Sequence, residues 1–285
     1  MGLLSSIHFD LDNALPREFF FAVPHVNVQE WGPHLRFCAP QKAVENFYEK
    51  IKNQIAPFTL FGSGDFHHLT ALWLRRIEKP LTLISFDNHP DWDVRPPFWS
   101  CGGWVNRALE LPCVQKASIW GCGNFELNWP HRLFANHRAL RQGKLEVHPW
   151  RERFQSFVKE KGRWMTLQNW REQFSQFTTT LKGGCVYVTV DLDCLSATEA
   201  ETNWENGLFR VEDITWAIAE LRRRTRIMGG DLCGAYSIPS YARWGQKLVA
   251  HFDHPNLESR NPQDSASWNR KALQTIWTAL TGCNE

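Results

Sequence analysis

"LTLISFDNHPDWD" (residues 81–93) joins a mainly apolar run of strand length to three aspartates and a histidine. An apolar run of this kind reads as a buried strand of an α/β sheet, and its polar tail marks the strand's carboxyl end. Charge in that position needs a reason, because an unpaired buried carboxylate costs several kcal/mol. "CVYVTVDLD" (185–193) repeats the pattern, with Asp191 and Asp193 two residues apart. On a continuous strand both would point to the same face. "FTLF" (58–61) leads through "GSGDFHH" to His67 and His68. Metal-type side chains therefore sit at three separate strand ends, where ligand sites of open α/β sheets gather.

Outward from these stretches, strand-length apolar runs alternate with polar or glycine-containing loops and segments of helical spacing, the signature of repeated βα units. "ASIWGC" (117–122), "KLEVHP" (144–149) and "RIMGGDL" (226–232) read as further strands, and "SIHFDLD" as the start of another. "LTALWLRRIE", "VEDITWAIAELRRR" and "SASWNRKALQTIWTALTG" (265–282) read as helices, the last stopped by Gly282. Residues 1–285 read as one three-layer α/β domain without linkers or repeats.

Composition narrows the class. Lys and Arg number 32 against 30 Asp and Glu, a net +2, so no nucleic-acid partner is implied; the basic "LRRRTR" (221–226) reads as the solvated end of a helix. The eight cysteines form no C-x-x-C pair, as expected of reduced thiols in a cytoplasmic protein. No apolar run approaches the ~20 residues that span a bilayer, and no secretory signal is expected. "MGLLSS" fits a loose myristoylation pattern, but the strand that follows argues against lipidation.

Asp87, Asp91, Asp93, Asp191 and Asp193 converge from two strands with only Arg95 nearby, so the site must protonate them, pair them or bind cations. Carboxylates with a minority of imidazoles and no thiolate favour Mn²⁺ over a structural zinc. Six such ligands can hold two ions ~3.5–4 Å apart around a bridging hydroxide. The remaining histidines, 8, 25, 34, 131, 137, 148, 251 and 254, read as surface or satisfied core residues, and Cys101, Cys194 and Cys233 as packing residues.

"GSGDFHHL", "DNHPD" and "VTVDLDCLSATEAETNWENGLF", in this order, resemble the strand-end motifs of the ureohydrolase (arginase and agmatinase) family, and "SIWGCGNFE" resembles that family's I-G-x-R-D strand. The resemblance covers residues 55–240. It implies a central, mostly parallel sheet of about eight strands, and a hydrolase acting on linear amidines that releases urea or an amide. It further implies one Mn²⁺ held by His67, Asp87, Asp91 and Asp191 and a second by Asp87, His89, Asp191 and Asp193. His68 is the alternative to His67. Asp91 would serve as general acid and base. The implied substrate is a small guanidino or amidino compound, or an arginine side chain in a peptide, and the family forms homo-oligomers.

Two positions depart from the family. Gly234 stands where the guanidinium-binding glutamate is expected, and Trp104 where arginases place a proton-shuttling histidine. Asp93, Glu205 and Asp231 are candidates to replace the acid. Trp104 joins Trp92, Trp99 and Trp204 as an aromatic surface for a guanidinium. A zinc-type amide deacetylase on a similar fold and a non-catalytic binding scaffold are the competing readings.

Overall fold

The computed structural model describes residues 5–95, 99–154, 164–254 and 260–282. The myristoylation pattern falls largely on residues 1–4, outside the described residues. The strands in chain order are β1 (Ser6–Asp10), β2 (His25–Asn27), β3 (Cys38–Ala39), β4 (Phe58–Phe61), β5 (Leu81–Phe86), β6 (Trp99–Ser100), β7 (Val114–Cys122), β8 (Leu145–Pro149), β9 (Cys185–Asp191) and β10 (Arg226–Cys233). Eight of them form one sheet in the order β2-β1-β4-β10-β9-β5-β7-β8. Every pairing within it is parallel. β3 and β6 form a separate antiparallel ribbon.

A parallel sheet must be covered on both faces, and alternation along its strands supplies two cores. Leu83 and Ile119 point into one, with Phe9, Phe47 and Trp73. Ile84, Phe86, Trp120 and Val188 point into the other, with Phe174, Ile214 and Leu273. The first core is closed by α1 (Gly32–Leu35), α2 (Gln41–Ile51), α3 (Thr70–Trp73), α4 (Trp104–Leu109) and α5 (His137–Arg141). The second is closed by α6 (Trp170–Thr180), α7 (Val211–Arg224) and α9 (Pro262–Thr281). This is the three-layer α/β sandwich expected from the sequence. α8 (Trp244–Asp253) lies at the rim, where Ala250 joins a small cluster with Phe37, Cys101 and Trp204.

Helix α7 matches its sequence signals. The Asp213 carboxylate accepts the Arg210 backbone N–H at 2.9 Å, and three arginines occupy the last turn, where cations favour the helix dipole. Helix α9 ends on Gly282 at φ 72°, the left-handed stop that glycine adopts without strain.

Two expectations are corrected. "LTALWLRRIE" yields only the single turn of α3 and a 3₁₀ turn at Leu74–Arg76. Thr70 to Leu74 are all buried, so the segment has no solvent face of the kind that stabilises a surface helix. β9 stops at Asp191, whose carboxylate accepts the Asp193 backbone N–H at 3.1 Å and turns the chain into a 3₁₀ helix at Leu192–Cys194. Asp193 is thus presented from a turn and not from the strand.

Candidate metal centre

The carboxyl ends of β4, β5 and β9 meet at one place, and the side chains expected there converge. His67 Nδ1 lies 3.0 Å from Asp87 Oδ2 and 3.5 Å from both Asp91 Oδ2 and Asp191 Oδ2. His89 Nδ1 lies 2.8 Å from Asp193 Oδ2 and 3.5 Å from Asp87 Oδ1. All six side chains are buried. Donor atoms of His67, Asp87 and Asp91 lie within 4.8 Å of one another, as do those of Asp87, His89 and Asp193. Two three-donor groups therefore share Asp87.

Backbone amides hold these carboxylates in place. Asp87 Oδ1 accepts the His89 N–H at 2.7 Å, and Asp193 Oδ1 accepts the Asn88 N–H at 3.0 Å. Asp91 sits at φ 46°, in the left-handed region that aspartate tolerates better than most residues, so its carboxylate turns back over the cluster. The indole N–H of Trp104 donates to Asp91 Oδ2. Asp191 approaches the chain so closely that a Cβ on Gly64 would come within 2.8 Å of its Oδ2.

His67 is fixed from behind. Tyr187 and Thr189 donate their hydroxyls to Asp231, the former at 2.8 Å. With its proton committed to Asp231, Thr189 Oγ1 is an acceptor for His67 Nε2–H, 2.8 Å away. That leaves Nδ1 as the nitrogen aimed at the carboxylates, with a lone pair to offer once a cation displaces its proton. His68 is fully buried with neither ring nitrogen hydrogen-bonded, and burial pushes it down to about 3. His67, and not His68, faces the cluster.

The electrostatics are those of a site built for cations. Burial, reinforced by the Asp87 charge, holds the Asp91 carboxyl well above the usual carboxylate range. Burial and the charges of Asp191 and Asp87 do the same to Asp193. Burial disfavours charge on His67, yet the hydrogen bond and charge of Asp87, with Asp191, raise it to about 9. Protons would have to neutralise what divalent ions neutralise better, and the oxygen-rich donor set fits a hard ion. The donors present thus fit a metal. Cys233 also comes close, its Sγ 3.6 Å from Asp191 Oδ2, in a third donor group with His67 and Asp191.

The four substrate-binding candidates separate. Trp104 is fully buried, its ring 4.6 Å from that of His67, and Asp231 is fully buried beneath His67. Both lie behind the cluster, not on the pocket wall, where each hydrogen-bonds a residue next to or within the cluster. Glu205 Oε2 lies 3.3 Å from His89 Nε2, a backing partner on the other histidine. Asp93 lies further out, bound by Arg95. Of the tryptophans, Trp204 lines the inner pocket at the cluster and Trp92 the space outside it.

Sequence reasoning missed two acids on the wall of this pocket, Glu126 and Asp253. Glu126 follows the end of β7, so the strand-end rule could have flagged it; Asp253 ends α8 and carried no signal. Burial and the nearby Asp253 charge push Glu126 up to about 8, although the His89 charge opposes them, and its Oε2 is enclosed without a hydrogen-bond partner. A second missed feature is the buried Arg36, paired with Asp12 and Asp65 at 2.6 Å each. Asp65 also faces His254 Nε2 at 2.7 Å, and the Trp204 indole donates to it at 3.2 Å, bracing that wall.

No family model matches the chain. An uncharacterised protein of Thermotoga maritima is 29% identical over 195 residues, which are 68% of this chain and 64% of that protein's length. Solved structures extend over nearly all of it. A hypothetical agmatinase from Burkholderia thailandensis superposes with a TM-score of 0.53 at 15% identity, covering 99% of this chain and 87% of the other. A formimidoylglutamase from Bacillus subtilis gives 0.56 at 13%, covering 99% and 88%.

The fold is that of the arginases and agmatinases.

A Bacillus subtilis arginase is alike at 0.53 and 12% identity, covering 96% and 98% of the two chains. Within this arginase-like fold the expected acid at Gly234 is sterically barred. Gly234 has φ +101°, and a Cβ there would meet Asp191 Oδ1 at 2.1 Å.

Proposed function

We propose that the chain is a divergent ureohydrolase, a manganese-dependent hydrolase that cleaves a C–N bond of a guanidino or amidino compound. The observation that carries this reading is the pair of three-donor groups joined through Asp87 at the strand ends of an arginase-like sheet. His67, Asp87, Asp91 and Asp191 would hold one Mn²⁺, and Asp87, His89, Asp191 and Asp193 the other. Bound there, the ions would neutralise the carboxylates and lower the pKa of water to the physiological range.

The chain's own groups do the rest. Trp204 and Gly64 wall the inner pocket and exclude bulk water from the reacting carbon. Asp91 takes the proton of the attacking water at Oδ1 or Oδ2 and returns it to the departing nitrogen, so that an amine and urea, or an amide and ammonia, leave. The Trp104 N–H keeps Asp91 aimed at this exchange. Asp231, through Thr189, keeps His67 Nδ1 available. A cytoplasmic location is part of this proposal; the described cysteines form no disulfide, and no helix among the described residues is long and apolar enough to cross a membrane.

The test is release of urea or ammonia from a panel of guanidino and amidino compounds by manganese-loaded protein. Asp193→Ala is expected to retain the fold and lose turnover. Wild-type protein inert across the whole panel, or Asp193→Ala turning over normally, would overturn the reading.

A further inference from the structure

The inner pocket is narrow, ≈ 20 Å³, and it opens into a much larger chamber of ≈ 440 Å³. Gly102, Glu126 and Asp253 line both, so they form the neck between the two. Beyond the neck the character changes. Trp92, Phe125, Phe134, Val249 and Phe252 give the chamber aromatic and aliphatic walls. Phe252 is 80% exposed and Val249 53%, both on α8, while Trp92 is buried. Apolar surface left open at the mouth of a deep pocket marks a place that a ligand covers.

Charge selects the ligand further. Among the described lining residues, Glu126 and Asp253 bring two carboxyl groups to the neck, Glu126 Oε2 enclosed without a hydrogen-bond partner, and Asp93 is a third that Arg95 already pairs. The one guanidinium, Arg95, is already engaged: its Nε donates to Asp93 Oδ2 at 2.7 Å, and it stacks 4.1 Å over the Phe134 ring. A cation is welcome at the neck. The α-carboxylate of a free amino acid would enter a space of acids and mainly apolar rings, where His131 packs edge-on against Phe125 and no uncommitted guanidinium is present to meet it.

We propose that this chamber selects monocationic guanidines or amidines whose far end is an aryl or aralkyl group, the cation lying at the Glu126–Asp253 neck and the ring against Phe125, Val249 and Phe252. The proposal rests on the hydrolase reading for what happens at the metal centre, but not for binding. An inner site in an arginase-like fold thus faces an outer site unsuited to arginine itself.

Titration calorimetry on the full-length, manganese-loaded chain tests this with 4-phenylbutylguanidine, agmatine, free arginine and the neutral 4-phenylbutylurea. The aryl guanidine is expected to bind at least about tenfold more tightly than agmatine or arginine, as burial of a phenyl ring would give, and more tightly than the urea. Phe252→Ser, at an exposed position that places folding at little risk, should remove most of the aryl advantage and leave agmatine unchanged. Asp253→Asn should narrow the gap between guanidine and urea. Equal or tighter binding of agmatine or arginine overturns the proposal, as does a Phe252→Ser loss common to all four probes. Tighter binding of a Phe-Arg-Phe peptide than of the aryl guanidine would overturn it too, assigning the chamber to a peptide. Selective aryl binding without turnover would leave this proposal standing and sink the hydrolase reading; turnover of agmatine without aryl preference would do the reverse.

Discussion

Gly234 and Asp191 compete for one volume: a Cβ on the glycine would lie 2.1 Å from Asp191 Oδ1. A glutamate cannot be accommodated at position 234, because Gly234, the residue after β10, leaves the space that Asp191 fills on its way to the cluster. Gly234→Glu, and even Gly234→Ala, are expected to destabilise the fold by about 3 kcal/mol, combining overpacking with a backbone angle that suits glycine, and to weaken manganese binding. Denaturant unfolding with and without manganese measures both effects; a Gly234→Glu variant of wild-type stability that turns over arginine would contradict the steric argument.

Thr189 touches His67 from behind, on the side away from the carboxylate cluster. Thr189→Val keeps the shape but removes the acceptor for His67 Nε2–H, freeing the ring to tautomerise or turn. Loss of such backing partners typically weakens metal affinity about 10- to 100-fold. A competition titration with a fluorescent chelator reads this directly, and an affinity within twofold of wild type would remove Thr189 from the relay.

Trp104→Phe removes the N–H that Asp91 accepts. That bond favours the ionised carboxylate, so its loss raises the Asp91 pKa further. The acid limb of the rate profile should move to higher pH, with kcat/KM lower by about tenfold at neutral pH. An unmoved profile would argue that Asp91 is not the group that titrates in catalysis.

Buried Asp65 links the site wall to acid stability. Burial disfavours its charge, but His254 and Arg36 outweigh burial and hold it at about 2 against an ordinary 3.8. A depressed folded-state pKa contributes stability that is present above the unfolded value and lost as pH falls through the folded one. About 2 kcal/mol should therefore disappear between roughly pH 4 and pH 2. The stability difference between wild type and Asp65→Asn, followed by urea unfolding, should shrink over that window; a constant difference would contradict it.

The strands that bring the cluster together were legible because a parallel sheet demands apolar runs, and their carboxyl ends show where the polarity changes. Asp87, His89, Asp91, Asp191 and Asp193 could be read in this way. The choice between His67 and His68 could not, since two adjacent histidines in a tight turn differ only in which way the turn faces. The roles of Trp104 and Asp231 were hidden for a related reason: their partners, Asp91 and Thr189, lie 13 and 42 residues away. Local spacing misleads at the short segment after His68, where tertiary burial overrides the helical pattern at Thr70–Leu74, and is silent about Asp253, which only the docking of α8 brings to the pocket.

Elemental analysis of protein equilibrated with manganese and then freed of excess metal tests the account most directly. Two manganese ions per chain are predicted for wild type and at most one for Asp87→Ala, since the shared carboxylate joins the two donor groups. Wild-type protein that retains no stoichiometric metal, or an Asp87→Ala variant that still holds two ions, would contradict it.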